Sequence, residues 1–548
     1  MTMRYTFLLK LAGALLLVAL ADLLFWFQLV GSTLGLFALA VLTVLLCIRV
    51  EILARWPSRI AAGTALVFAL ALAVDPGPLA LLLFTLAITL AALLPRTMGF
   101  DDGRRWALRL IIHGLMSVVG PFRDLMLTGR ARRRRPALGL RGKALTLLLP
   151  LAGSILFLAL FAQANPLIGD ALARIELWPD LDALTVVRIV YWALVFTAMW
   201  SLLRPSRFAL WRAVAPATGE IALPGVTPGS VTLSLLAFNL IFALQNGLDL
   251  AFLWSGAALP AGMSFAEYAH RGAYPLIATA LLAGLFVLVT LRPGTATAAS
   301  RPIRLLVTLW TLQNVLLVAS TMLRTVDYIQ AYSLTELRIA ALIWMGLVAL
   351  GLVLICVRLL RAKSGAWLVN ANLLAAGIVL GACCWLDLGA IAAGWNVRHA
   401  RDVGGTGAAL DLCYLHQLGP AALPALVSLE ARPLPRELRD RVQWVRSRMM
   451  AQLARSQSDW HGWTLQGARR LAAAEAAAAA LRLPVRRDED RECDGRPTPP
   501  PPPIASRDDA PVNEAPAIAT VAPEAVPPVP PPAPAPARPR PLTARPAR

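Results

Sequence analysis

The chain of 548 residues is 57% hydrophobic and only 15% charged, far below the quarter of charged residues usual in soluble domains. Its formal net charge of +20 sits on arginines confined to particular loops, a distribution that reports orientation against anionic lipid and argues against nucleic acid as a partner. Composition thus excludes an ordinary soluble enzyme and points to an all-α, polytopic transmembrane bundle, since helices alone close their backbone hydrogen bonds within one segment in lipid.

Eleven apolar runs follow in chain order: 7–28, 31–48, 60–74, 79–94, 144–164, 186–203, 231–256, 273–291, 303–323, 338–357 and 368–394. The first begins after Arg4 and Lys10 and passes Ala19-Leu20-Ala21, a signal-peptide-like pattern. Because the run continues through Leu23 to Phe27, it reads as an uncleaved first helix. The third and fourth runs are short for a core of about 30 Å at about 1.5 Å per residue. Joined by Asp75-Pro76-Gly77-Pro78, they either cross or form a re-entrant hairpin.

Basic residues alternate strongly between sides. One set of ends carries twenty-six, including Lys10, Arg49, Arg55, Arg96, Arg204 and Arg358, against five on the other. By the positive-inside rule the N-terminus is cytoplasmic, and an odd span count leaves the C-terminal region extracytoplasmic. In the long basic loop, 108–122 reads as an interfacial helix followed by Arg132 to Arg135 on the lipid headgroups.

Four segments follow from these breaks: 1–143, N-terminal spans and the basic loop; 144–394, the remaining spans; 395–484, a small helical extracytoplasmic region; and 485–548, a tail. Helices are expected over 411–415, 420–431, 435–455 and 464–483, the last started with help from Asp459. Gly404-Gly405-Thr406-Gly407 reads as a flexible loop. From about Val485 the chain is rich in Pro and Arg and too poor in apolar residues for a core, so it is expected to be disordered and polyproline-like.

The segment Asp327-Tyr328-Ile329-Gln330-Ala331-Tyr332-Ser333-Leu334-Thr335-Glu336-Leu337-Arg338 resembles the hallmark of a bacterial membrane family, domain of unknown function 4173. Asn165-Pro166-Leu167-Ile168, the stretch from Phe265 to Leu276, Asn396-Val397-Arg398, Leu410-Asp411 with Tyr414-Leu415, and Ala422 to Leu426 resemble it too. The likeness spans roughly 144 to 463. It implies a bacterial inner-membrane protein, in line with three lysines against forty-nine arginines, and carries no activity or catalytic residue over. Ser333-Leu334-Thr335-Glu336 also fits a capping box for the tenth span.

Polar residues inside the spans are the candidate functional residues, because ionisable groups in lipid are costly and usually face the bundle interior. Thr232, Asn239 and Asn246 recur every seven residues on the seventh span, with Asp249 one turn on and Gln245 beside them. Gln313, Ser320, Arg324 and Asp327 form a stripe on the ninth, and Asp22 and Asp387 lie on the first and eleventh. Asp22, Asn246, Asp249, Arg324, Asp327 and Asp387 all fall toward the outer side, which predicts a polar vestibule there, lined by spans one, seven, nine and eleven. Packing and helix capping account for the same residues without a ligand.

No catalytic motif stands out: there is no GxSxG, HExxH or P-loop. Cys413 and His416 share a helical face without a third ligand, so neither metal nor cofactor is expected. Cys413 and Cys493 either pair or do not; sequence leaves this open. Two functions compete, an envelope scaffold or sensor anchoring the external helices and the tail toward an envelope protein or polymer, and a transporter of a small solute, ion or lipid through the vestibule. Membrane lipids are the remaining expected partner.

Overall fold

The computed structural model describes residues 2–97, 100–133, 182–205, 227–254, 300–486 and 491–498, with positions 153, 154, 158, 165, 278, 279, 282 and 286 between them. The expected spans 144–164 and 273–291, apart from those isolated positions, and the chain beyond 498 lie outside the described residues, as do Arg134 and Arg135.

Every expected span within the described residues is a helix. They are α1 (Thr2–Phe25), α2 (Thr33–Ile48), the short α3 (Glu51–Ala54), α4 (Trp56–Val74), α5 (Pro78–Leu93) and, after the basic helix α6 (Gly103–Arg133), α7 (Ala183–Leu203), α8 (Pro228–Phe252), α9 (Arg301–Tyr332), α10 (Glu336–Leu360) and α11 (Gly365–Cys383). Eight of these are long and apolar enough to cross a membrane, and Thr33–Ile48 is a shorter apolar helix. The protein is a polytopic helical membrane bundle. Leucines such as Leu16, Leu240, Leu244 and Leu374 are exposed on it, as side chains facing hydrocarbon should be.

Two of the short runs are longer than their apolar core suggested. Pro57 starts α4 and Pro78 starts α5 at positions where a missing N–H costs nothing; the helix through Pro78–Arg96 has 19 residues, as does α4, about 28 Å each at 1.5 Å per residue. That length favours crossing over a hairpin.

The eleventh run ends earlier than expected. Its helix stops at Cys383, and Asp387 caps a new helix, α12 (Leu388–His399), by accepting from Ala390 N at 2.9 Å.

Two buried clusters organise the spans. Leu17, Leu45, Ala65, Leu72, Ile88 and Leu203 knit α1, α2, α4, α5 and α7. Leu235, Val307, Trp310, Met345, Leu352 and Leu368 form the second, joining α8, α9, α10 and α11. Gly35 permits the α2–α4 approach, because a Cβ there would meet Ala73 N at 2.2 Å.

The basic helix α6 runs well beyond the expected 108–122. It buries Trp106 and His113 and leaves Leu108, Ile111, Leu115, Val118 and Val119 exposed as a stripe, the pattern of a helix lying along lipid.

After α12 come a 3-10 turn (Arg401–Val403), α13 (Leu412–Gln417), a 3-10 turn (Gly419–Ala422), α14 (Leu423–Glu430), α15 (Arg436–Ser458) and α16 (Leu465–Ala480). Their apolar faces share a separate core of Leu415, Leu423, Leu426, Leu429, Val442, Val445 and Leu453. Within it Arg446 and Glu430, each 1% exposed, pair at 2.6 Å. Thr464, not Asp459, caps α16, accepting from Gly467 N at 2.9 Å. The glycine loop is a packed turn rather than a flexible one: Gly405 N bonds Ala400 O and Gly407 N bonds His399 O.

The tail expected from 485 includes ordered chain. Residues 491–497 are folded: Cys493 forms a disulfide with Cys413, Arg491 pairs with Asp440 and Arg441 with Asp494, both at 2.6 Å. Covalent and ionic attachment to α13 and α15 replaces the apolar core this segment lacks.

Candidate functional site

The expected polar stripes meet along the α8–α9 seam. Asn239 Nδ2 donates to Leu235 O at 2.7 Å and across the seam to Leu306 O at 3.1 Å, and its Oδ1 accepts from Gln313 Nε2 at 3.0 Å. One heptad on, Asn246 Nδ2 donates to Gln313 O at 3.2 Å. Asp249 Oδ1 then receives both the Arg324 guanidinium and Gln245 Nε2, and Trp254 Nε1 donates to Ser320 Oγ at 3.1 Å. Asn239, Asn246, Asp249 and Arg324 are all less than a tenth exposed. Thr232 bonds only its own helix, at Pro228 O.

Most of these amides give an N–H to a carbonyl, and Asn246 Oδ1, Asp249 Oδ2, Gln313 Oε1 and, on the neighbouring face of α9, Asn314 Oδ1 are buried without a donor, as is the donor Trp310 Nε1 without an acceptor. An unmet buried polar group costs about 1–3 kcal/mol. The seam therefore offers several buried acceptors to water or a donor-bearing solute.

The other expected vestibule residues go elsewhere. Asp22 on α1 binds Arg188 on α7, with Nε at 2.9 Å, and takes Trp192 Nε1 at 2.8 Å; the Arg188 guanidinium also lies over the Trp26 and Trp192 rings. Asp387 is at a helix start outside the span and pairs with Arg470 of α16. Asp327, half-buried one turn beyond Arg324, has no hydrogen-bond or ion-pair partner among the described residues. In place of one vestibule shared by spans one, seven, nine and eleven, there is a ladder between α8 and α9 plus two separate ion-pair attachments. Sequence spacing gave no signal for this because the partners, Arg188 and Arg470, sit 166 and 83 residues from their carboxylates.

The hallmark segment turns out to be a latch. Ser333, at φ 72°, ends α9. Leu334 N donates to Asn396 Oδ1 at 2.7 Å, and Asn396 Nδ2 returns a bond to Leu334 O at 2.9 Å. Thr335, two residues later than the expected cap, starts α10 by accepting from Arg338 N. Glu336 N donates to the Tyr414 hydroxyl at 2.9 Å, and Arg338 reaches back to Tyr332 O at 2.6 Å while lying 4.1 Å over the Tyr328 ring. Burial pushes the Tyr414 hydroxyl up, which keeps it protonated. Asn396 and Tyr414 both lie in segments that resemble the family; what sequence withheld was that they clasp the hallmark loop.

The same ends of the spans carry the C-terminal helices. Ser32 N donates to Trp463 O at 2.8 Å, Thr33 Oγ1 reaches His461 O at 3.4 Å, and His461 Nε2 lies 3.3 Å from Leu23 O. Gly31 allows this, since a Cβ would meet Trp463 O at 2.4 Å. Arg470 adds Asp387 and, at 3.9 Å, Asp75. Cys413 is committed to its disulfide, so it and His416 do not form a thiolate–imidazole ligand pair.

The polar helix seam and the Leu334–Asn396 latch lie in residues that one family model matches, from 36 to 429, Domain of unknown function (DUF4153). The chain belongs to this family. The match runs from α2 to α14, and its number is 4153, where the hallmark segment had suggested 4173. No curated protein and no solved structure matches the chain.

Proposed function

We propose that this protein is an envelope scaffold or sensor of a bacterial inner membrane, N-terminus inside, whose spans hold the C-terminal helices rigidly on the extracytoplasmic face for an envelope protein or polymer. The observation that carries the reading is the seating of those helices: hydrogen bonds to Leu23, Ser32 and Thr33, the Arg470–Asp75 ion pair and the Asn396 latch bind them to the ends of α1, α2, α4, α9 and α10. A rigid mount of this kind suits presentation of a surface better than a gate. The orientation is supported by the arginine-rich opposite ends and by the Cys413–Cys493 disulfide, since such bonds persist in oxidising compartments. We also read the Tyr332 to Arg338 segment as a kinship with domain 4173.

A reporter fused after Arg455 tests the orientation, with extracytoplasmic activity expected; cytoplasmic activity overturns it. For the scaffold itself, photo-crosslinking groups placed on exposed positions of α15 in living cells are expected to trap one discrete envelope partner, and trapping of none rejects the reading.

A second reading, movement of a proton or small donor solute along the α8–α9 seam, is favoured by the unmet acceptors Gln313 Oε1, Asn246 Oδ1 and Asp249 Oδ2. Flux into proteoliposomes that is abolished by Asp249→Asn supports it; flux absent from the unmodified protein excludes it.

A further inference from the structure

At the arginine-rich ends of α1, α2, α5 and α7, positive charge exceeds what helix ends and carboxylates use. Arg49, 1% exposed, donates Nη1 to Ala92 O at 2.7 Å and Leu202 O at 3.2 Å and pairs through Nε with Glu51 at 2.9 Å. It thereby closes the carbonyl ends of α5 and α7. Its Nη2 stays buried without an acceptor. Arg96 donates to Pro205 O, and Arg204 pairs with Asp124 at 3.2 Å with a third of its side chain exposed.

Lys10 completes the group. It lies half-buried on α1 within coulombic reach of Arg49, Arg96 and Arg204, with Glu51 the one carboxylate in that range. It has no hydrogen bond or ion pair among the described residues. His113 of α6 faces the same charges: it is buried, its Nε2 is unpartnered, and burial together with Arg96 and Arg49 holds it in the neutral form. Among the described residues, Lys10, Arg49, Arg96 and Arg204 stand against Glu51 and Asp124, an excess of two positive charges.

We propose that this cluster is a binding site for a phosphate-bearing anion, contacted by Lys10, Arg96 and Arg204, with Arg49 as a fixed charge behind them. Lysine and arginine at the partly exposed rim suit the oxygens of a phosphate, which both neutralises the excess charge and takes several donors. Its level in the bundle, at the basic ends of the spans, is that of the lipid headgroups. The phosphate belongs either to an anionic phospholipid or to a soluble compound.

The full chain in phosphatidylcholine nanodiscs, with or without phosphatidylglycerol, separates these sources. Phosphatidylglycerol is expected to raise the thermal midpoint of the unmodified protein. Lys10→Gln is expected to be as stable as the unmodified protein in pure phosphatidylcholine, because it removes a crowded charge, yet to gain little from phosphatidylglycerol, binding it about fivefold more weakly. Arg361→Gln, a basic residue outside the cluster, keeps the full gain. If inorganic phosphate in phosphatidylcholine discs reproduces the rise, the ligand is soluble; if only the lipid does, it is a headgroup. Absence of any rise with both anions, or an undiminished rise in Lys10→Gln, overturns the proposal.

Discussion

Replacing Asn396 with alanine tests whether the hallmark segment is a latch. Asn396 is 7% exposed and makes two bonds to one residue, accepting from Leu334 N at 2.7 Å and donating to Leu334 O at 2.9 Å. Leu334 is itself 7% exposed, so Asn396→Ala leaves an N–H and a carbonyl buried without partners. At about 1–3 kcal/mol for each unmet group, with partial relief by water, the loss is about 2–4 kcal/mol. That is a roughly thirty- to several-hundredfold increase in local opening. Hydrogen exchange of the amides from Leu334 to Arg338 in the full-length protein reads it directly, with thermal unfolding as a companion. If exchange in Asn396→Ala stays within about threefold of the unmodified protein, below about 0.7 kcal/mol, the paired bonds do not hold the loop and the latch reasoning fails.

Other consequences concern buried charge and the C-terminal helices. Arg324→Leu strands the Asp249 carboxylate between α8 and α9 and is expected to cost about 3–5 kcal/mol, whereas joint replacement of Asp249 and Arg324 by leucine recovers most of it; thermal unfolding in nanodiscs of the single and double variants decides, and equal losses refute it. Cys413→Ser opens a link across 80 residues and is expected to lower stability by up to about 4–5 kcal/mol and to make residues 491–497 protease-sensitive while the spans stay folded. The Arg491 guanidinium holds the Asp440 carboxyl below its ordinary value of 3.8. Because that pKa is depressed on folding, the clamp contributes above the unfolded value and is lost as pH falls through the folded one. Exchange at 491–497, corrected for intrinsic rates, is expected to be flat from neutral pH to about 4 and to rise below it, and a rise at higher pH contradicts the assignment.

Sequence by itself settled what one helix at a time can settle. Apolar run length determined the spans, because a helix in lipid closes its own hydrogen bonds; arginine placement grouped the helix ends; and the heptad spacing of Asn239 and Asn246 with Asp249 marked the buried seam of α8, where Gln313 and Arg324 of α9 do meet them. What the tertiary structure alone decided is pairing between distant segments. A carboxylate in a run looks the same whether it lines a cavity or finds an arginine, so Asp22 and Asp387 read as vestibule until Arg188 and Arg470 were beside them. The break before Asp387 depended on a cap whose cost and gain lie partly in α16. Residues 491–497 looked like tail because folding by disulfide and ion pairs leaves no apolar periodicity to read. The hallmark loop had motif without mechanism until Asn396 and Tyr414, 62 and 78 residues from their partners, closed on it. Hydrogen bonds and charges select partners by geometry in space, and sequence carries that geometry only where the partners are neighbours along the chain.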